Sequence, residues 1–227
     1  MSDLRFKNIL RYMKKNDYTI YEQPYQLNIV GVRNAETKPN KFDDEMFVFY
    51  KDDSNQWVVN EYPITTDPGT YWLQNPMSSM GTAMLKEGQY IDAYQQGFHK
   101  GQYLALTQAK PLTVYRDYDR NATFDIGTKE TTGNYGINIH KAGEDSQDVN
   151  KWSAGCQVFQ KKDDFDKFIA LTNTHREKYG NQFTYTLIDE RAVKRRRRRI
   201  NLYVGLTSTF ILGLAIGISV YLRRRNK

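Results

Sequence analysis

Two residues of this chain have the types and spacing for covalent chemistry. Asn138-Ile139-His140 is followed, sixteen residues after the histidine, by Cys156 within Trp152-Ser153-Ala154-Gly155-Cys156-Gln157-Val158. A cysteine attacks as its thiolate, so it needs a base nearby, and His140 is the candidate. Gly155 removes Cβ crowding just before the nucleophile. The backbone N–H groups of Gly155 and Cys156 are then candidates to face a developing oxyanion. Ser153 is placed to fix that turn or to hydrogen-bond near the site. Cys156 is the one cysteine of the chain, which rules out an intramolecular disulfide. The plainer alternative is a small cysteine packed in a core and a strand-end histidine that only hydrogen-bonds.

Other polar residues are weaker candidates. His99, in Gly97-Phe98-His99-Lys100-Gly101, reads either as an imidazole at the mouth of a site or as a surface histidine in a turn. His175, among Thr174, Arg176, Glu177 and Lys178, reads as solvated helix surface. Asp117, Asp119, Asn121 and Asp125 set oxygen ligands at alternate positions, as at the opening of a calcium loop. Ala122 stands where that loop needs glycine and Thr128 where it needs glutamate, so a polar hairpin turn is the alternative. One cysteine and three scattered histidines lack zinc-ligand spacing. No cofactor is expected, with calcium at 117–125 as the one candidate.

These residues sit in a body whose charge differs from that of the whole chain. The 227 residues carry a net charge of +7. From Arg191 onward there are 11 Lys and Arg and no Asp or Glu, which leaves 22 basic against 26 acidic residues and a net of −4 before it. A basic pI therefore implies no nucleic-acid-binding body. With 14% aromatic residues, extensive disorder is not expected.

The tail reads as a membrane anchor. Residues 200–222 (INLYVGLTSTFILGLAIGISVYL) are 23 uncharged residues, enough at about 1.5 Å per residue for a hydrocarbon core of about 30 Å. Tyr203 and Tyr221 lie near the ends and arginines flank both sides. Seven basic residues precede the span and four follow. That bias leans the body toward the cytoplasmic side, with basic charge on both flanks leaving the side open. The Arg195–Arg199 run suits anionic headgroups, with nucleic acid as the second reading. Gly213 and Gly217 have the spacing of a helix-dimer motif, so a homo-oligomer is a candidate assembly.

The body reads as mainly β. Residues 1–15 are an amphipathic helix pattern, with Leu4, Phe6, Ile9, Leu10 and Met13 apolar between basic residues; a solvated helix or a helix along a membrane both fit. Short aromatic and β-branched runs at 27–32, 46–50, 56–62, 70–73, 102–108, 112–116, 135–140 and 183–190 read as strands, with another starting at the cysteine. Spacing of this kind predicts a sandwich or barrel-like domain. One helix is expected from Lys162 to about Tyr179, with Phe165, Phe168, Ile169 and Leu171 at helical intervals.

The order His140, a gap, then Ser153-Ala154-Gly155-Cys156 resembles the YkuD-type L,D-transpeptidase catalytic domain. Thr66-Asp67-Pro68-Gly69-Thr70-Tyr71 is similar to that family's Thr-Pro-x-Gly-x-aromatic segment. The resemblance covers about residues 25–190 and implies a β-sandwich with one or two helices. It also implies a cysteine that attacks a peptide carbonyl in peptidoglycan stem peptides, forms a thioester and passes the acyl group to an amine or to water. Ala154 replaces the family's histidine and Val158 its substrate-holding arginine. Gln157, Lys141 and His99 are candidate substitutes for binding substrate.

The expected organisation is thus 1–24 helix and lead-in, 25–190 catalytic domain, 191–199 basic linker, 200–222 transmembrane helix and 223–227 basic tail. The first functional expectation is a membrane-anchored cysteine acyltransferase or peptidase of a cell envelope, with Cys156 as nucleophile, His140 as base, and Gly155 and Ser153 supporting. The second is a non-enzymatic structural membrane protein, for example of a lipid-containing virion, reusing the scaffold. A membrane tether for nucleic acid is the third.

Overall fold

The apolar runs 29–32 and 46–50 form the middle of strands β1 (Asn28–Arg33) and β2 (Asp44–Lys51), which are buried on both faces. In the computed structural model, which describes residues 3–35, 38, 40–125, 129–191 and 193, Ile29, Met46 and Val48 point into one core. Val30, Val32, Phe47 and Phe49 belong to a second. The second core is closed by helix α1 (Asp3–Lys15), whose Phe6, Ile9 and Met13 recur at helical spacing and are buried there. Phe6 meets Phe49 edge-on, with centroids 5.1 Å apart. The apolar stripe of α1 is therefore occupied by protein.

The remaining strands are β3 (Trp57–Thr65), β4 (Thr82–Leu85), β5 (Gly88–His99), β6 (Tyr103–Gln108), β7 (Leu112–Asp117), β8 (Glu130–Gly133), β9 (Ile139–Lys141), β10 (Gln157–Phe159) and β11 (Phe183–Asp189). Eight of them close into a barrel in the order β1-β11-β5-β6-β9-β10-β3-β2, and β4-β7-β8 form a separate three-stranded sheet. The mainly β expectation holds. Helix α3 (Lys162–Tyr179) spans the expected residues and buries Phe165 and Phe168 in the barrel core, where Phe159 stacks on Phe168 at 5.0 Å.

Two local expectations are corrected. Residues 70–73, read as a strand, form the short helix α2 (Thr70–Gln74), so the described residues hold three helices, α1 before residue 25 and α2 and α3 after it. Gly69 caps α2: Trp72 and Leu73 donate their N–H groups to the Gly69 carbonyl at 3.0 and 3.3 Å. The Gly69 N–H is held by Ser153 O at 2.9 Å. Contacts remote in sequence thus override the local β propensity of Tyr71 and Trp72. The chain divides after Asp189. No helix among the described residues is long and apolar enough to cross a membrane. The expectations for 200–222, for Arg195–Arg199 and for Gly213 and Gly217 lie outside the described residues.

One buried ionic cluster ties the start of β2, the end of β11 and the segment after β3. Arg33 is fully buried. It donates to Thr66 Oγ1 (2.9 Å), Thr66 O (3.1 Å), Leu85 O (3.0 Å) and Asp189 Oδ2 (3.3 Å), and its Nε lies 2.9 Å from Asp67 Oδ1. Asp44 completes the group by accepting from Asn34 N–H (2.8 Å), Thr66 N–H (2.7 Å) and Thr66 Oγ1 (2.8 Å). Three carboxylates around one guanidinium leave an excess of negative charge in low dielectric. Burial, then the Asp67 charge, pushes Asp44 up to about 7.

The consequence for stability has a definite sign. Unfolded Asp44 releases its proton near 3.8, whereas the folded protein holds it to about 7, so this group lowers stability as pH rises through that window. Asp44→Asn stays neutral and leaves one backbone N–H of Asn34 or Thr66 facing an amide nitrogen. Urea unfolding is expected to show the variant less stable at pH 5, with the gap to wild type narrowing by about 1–3 kcal/mol by pH 8. A gap that does not change with pH would show that Asp44 titrates normally.

Candidate active site

The sixteen-residue step between His140 and Cys156 is the crossover that joins two parallel strands, which need a dozen residues or more to connect. β9 and β10 pair in parallel, Ile139 with Gln157 and His140 with Val158. One residue earlier, Gln157 N–H donates to Asn138 O at 2.9 Å. Asn138 N–H reaches Cys156 Sγ at 3.4 Å. Because side chains alternate along a strand, Asn138, His140 and Cys156 share the outer face while Ile139 and Gln157 face the barrel interior. His140, Asn138 and Cys156 line one cavity of about 580 Å³.

The turn carrying Cys156 is fixed from two sides. Ser153 is fully buried; its hydroxyl donates to Cys156 O at 2.8 Å and accepts Gly155 N–H at 3.2 Å. Gly155 has φ +123°, and a Cβ there would lie 2.6 Å from Ala83 O. On the other side, the Thr66–Tyr71 segment cradles the crossover: Gly69 N–H binds Ser153 O at 2.9 Å, and a Cβ on Gly69 would meet Asn150 O at 2.0 Å. Trp72 Nε1 adds a bond to Lys151 O at 3.0 Å. The two sequence segments that carry the family resemblance are thus in direct contact.

At rest the pair is neutral. His140 Nδ1 donates to Lys141 O at 2.8 Å, which leaves Nε2 as the basic lone pair. Burial, reinforced by neighbouring His99, takes its pKa down to about 3. Burial pushes the Cys156 thiol up, against the opposing pull of Asn138 N–H and Lys100. The thiol donates to Gly136 O at 3.6 Å. Its hydrogen bonds among the described residues go to backbone groups, not to an imidazole. Tyr103 hydroxyl braces His140, 3.3 Å from Lys141 O and 3.4 Å from His140 Nδ1.

Several expected site residues fall elsewhere. Gln157 faces the barrel interior, where its amide binds Tyr185 Oη (2.9 Å) and Gly155 O (3.3 Å), so it does not reach the cavity. Lys141 lies outside the cavity lining, with Nζ 5.1 Å over the Tyr103 ring; its contribution is the carbonyl that holds His140. The Gly155 N–H is already engaged by Ser153 Oγ. The Cys156 N–H makes no hydrogen bond among the described residues. His99 is buried and stacked on His140, with centroids 4.0 Å apart, rather than on the surface. His175 is also buried, accepting Leu27 N–H at 3.0 Å and donating to Gln182 O at 3.2 Å.

The oxygen-rich loop at 117–125 serves its own turn. Asp117 accepts Asp119 N–H (3.2 Å) and Asp125 N–H (2.9 Å), and Asp119 accepts Asn121 N–H (2.9 Å). No group of three or more metal-competent side chains gathers among the described residues. Sequence reasoning passed over Asn138 and Tyr103 as site residues. For Asn138 the available signal was its place two residues before His140, on the same strand face.

Lys100, Arg116 and Lys151 line the cavity together with Trp72, Trp152 and Tyr135, and among the described residues no Asp or Glu does. In a body of net charge −4, that is a local cationic wall. Comparison with family models, with curated proteins and with solved structures finds no match.

Gly155→Ala is expected to lose about 2–4 kcal/mol in urea unfolding, through the left-handed φ and the clash with Ala83 O. Ser153→Ala is expected to lose about 1–2 kcal/mol, through the unpaired Gly155 N–H and Cys156 carbonyl. Wild-type stability in Gly155→Ala would show that the turn relaxes freely.

Proposed function

We propose that this chain is a cysteine acyltransferase or peptidase of the L,D-transpeptidase type, acting on peptidoglycan stem peptides from a membrane anchor at 200–222. The observation that carries this reading is the shared outer face of β9 and β10, where the sole thiol and an imidazole whose Nε2 has no hydrogen-bond partner among the described residues open into one cavity. The cationic wall supports a donor bearing carboxylates. It supplies an alternative to the arginine that Val158 replaces. The β-sandwich implied by the resemblance is here a closed barrel with an added sheet, so the likeness rests on the site segments.

Substrate binding brings the thiol and base together. His140 Nε2 takes the Sγ proton as sulfur attacks the carbonyl carbon; the C–S bond forms and the carbonyl π pair moves onto oxygen. Cys156 N–H is placed at the nucleophile to bind that oxyanion. Collapse breaks the C–N bond, and His140 returns the proton to the leaving amine. An acceptor amine or water then attacks the thioester, with His140 again as base.

A neutral resting pair differs from a preformed thiolate–imidazolium pair in its pH dependence. Iodoacetamide labelling of Cys156 is expected to rise steadily from pH 6 into the alkaline range, and to vanish in Cys156→Ala. A rate already flat between pH 5 and 8 would show a preformed ion pair. Muropeptide turnover by wild type, lost in Cys156→Ala and His140→Ala, tests the function itself. The raised thiol and its backbone hydrogen bonds favour, as the second reading, a non-enzymatic structural membrane protein, which labelling without any turnover would select.

A further inference from the structure

The cavity holds two imidazoles, and their hydrogen bonds give them opposite tautomers. Asn138 Oδ1 accepts Gln108 N–H at 3.0 Å, which orients its amide. The atom 3.0 Å from His99 Nδ1 is therefore Asn138 Nδ2. An amide nitrogen only donates, so His99 Nδ1 accepts and its proton sits on Nε2. His140 is the reverse, with the proton on Nδ1 toward Lys141 O at 2.8 Å. Neither Nε2 has a hydrogen-bond partner among the described residues. One ring thus offers a lone pair and the other an N–H, with the ring planes 22° apart and the centroids 4.0 Å apart.

We propose that His99 is a catalytic residue whose Nε2–H binds the developing oxyanion, alongside the Cys156 N–H; this rests on the acyl-transfer reading above. An oxyanion site commonly uses two donors, and here the Gly155 N–H is taken by Ser153 Oγ at 3.2 Å. His99 lines the same cavity as Cys156 and His140. It comes from the end of β5, far from the segment Ser153–Cys156, where Ala154 offers no side-chain donor. The tight turn after it, with Lys100 at φ 49° and Gly101 at φ 71°, pairs His99 with Tyr103, whose ring lies 5.6 Å from that of His99. The ring is therefore held by stacking on one side, by Tyr103 on another and by Asn138 at Nδ1. Burial keeps it neutral, so it donates a hydrogen bond while His140 takes the thiol proton. In the step, the Sγ proton passes to His140 Nε2, the S–C bond forms, and the carbonyl π pair moves onto oxygen opposite His99 Nε2–H. The pair returns as the bond to the leaving group breaks.

Full-length protein in detergent micelles and p-nitrophenyl acetate test this. The nitrophenolate leaves without taking a proton, so the assay isolates the attack step, read as the acetyl adduct on Cys156 by intact mass. Iodoacetamide alkylation of the same thiol is the control, because it makes no oxyanion. His99→Phe keeps a ring against His140 but removes the donor. It is expected to slow acetylation about 100-fold while alkylation stays within about threefold of wild type. His99→Gln retains an N–H donor and is expected to acetylate within about tenfold of wild type. Acetylation of His99→Phe at the wild-type rate overturns the proposal, as does equal slowing of both reactions, which would make His99 a support for His140 alone. A wild-type protein that is alkylated but never acetylated overturns the acyl-transfer reading and this proposal with it.

Discussion

Two parallel strands of three residues each, β9 and β10, fix the relation between the Cys156 thiol and the His140 imidazole. Their register decides which residues meet, and the two-residue period of a strand decides which face they meet on. A slip by one residue would turn His140 inward and bring Ile139 to the cavity. The pairing is short, so it is held from outside. β6 flanks β9 and β3 flanks β10, and the buried Gln157 ties the start of β10 across the barrel interior to Tyr185. A wholly buried polar bond of this kind fixes register because no other alignment satisfies both groups.

A second constraint reaches the site from below. The Arg33 cluster holds Thr66 by its hydroxyl, its N–H and its carbonyl. Three residues on, Gly69 holds the crossover at Ser153. The position of the cysteine turn is thereby coupled to the buried charges at one end of the barrel. This explains why an Asp-Pro-Gly segment with no reactive group accompanies the Ser-x-Gly-Cys segment. It supplies shape and one backbone hydrogen bond, not chemistry.

The apolar strand runs β1, β2, β3, β6, β7 and β11 and the helix α3 were legible in the sequence because burial leaves a direct composition signal. So were the histidine–cysteine spacing and the role of Ser153 in its turn. β5 was not legible. A left-handed residue at Asp92 (φ 50°) and a register shift opposite Phe183 and Tyr185 break its alternation, and its glutamines and glycines dilute the rest. His175 was misplaced because it is buried by partners distant in the chain, such as Leu27 N–H, and no local pattern marks such pairing. For His99 the sequence left two readings open, and distant partners, Asn138 and His140, put it at the cavity rather than in a surface turn. Gln157 was misassigned because adjacency in sequence to a nucleophile means the opposite face in a strand. The tautomers of the two imidazoles depend on Gln108, Asn138 and Lys141 together, and only coordinates bring those three groups into one view.

The raised thiol carries a consequence for oxidation. Peroxide and other oxidants attack the thiolate, and sulfenic acid formation follows the fraction of thiolate present. A sulfur that keeps its proton, shared with the Gly136 carbonyl, resists that damage. With no second cysteine in the chain to resolve a sulfenic acid as an internal disulfide, resistance of this passive kind is the protection the fold itself provides.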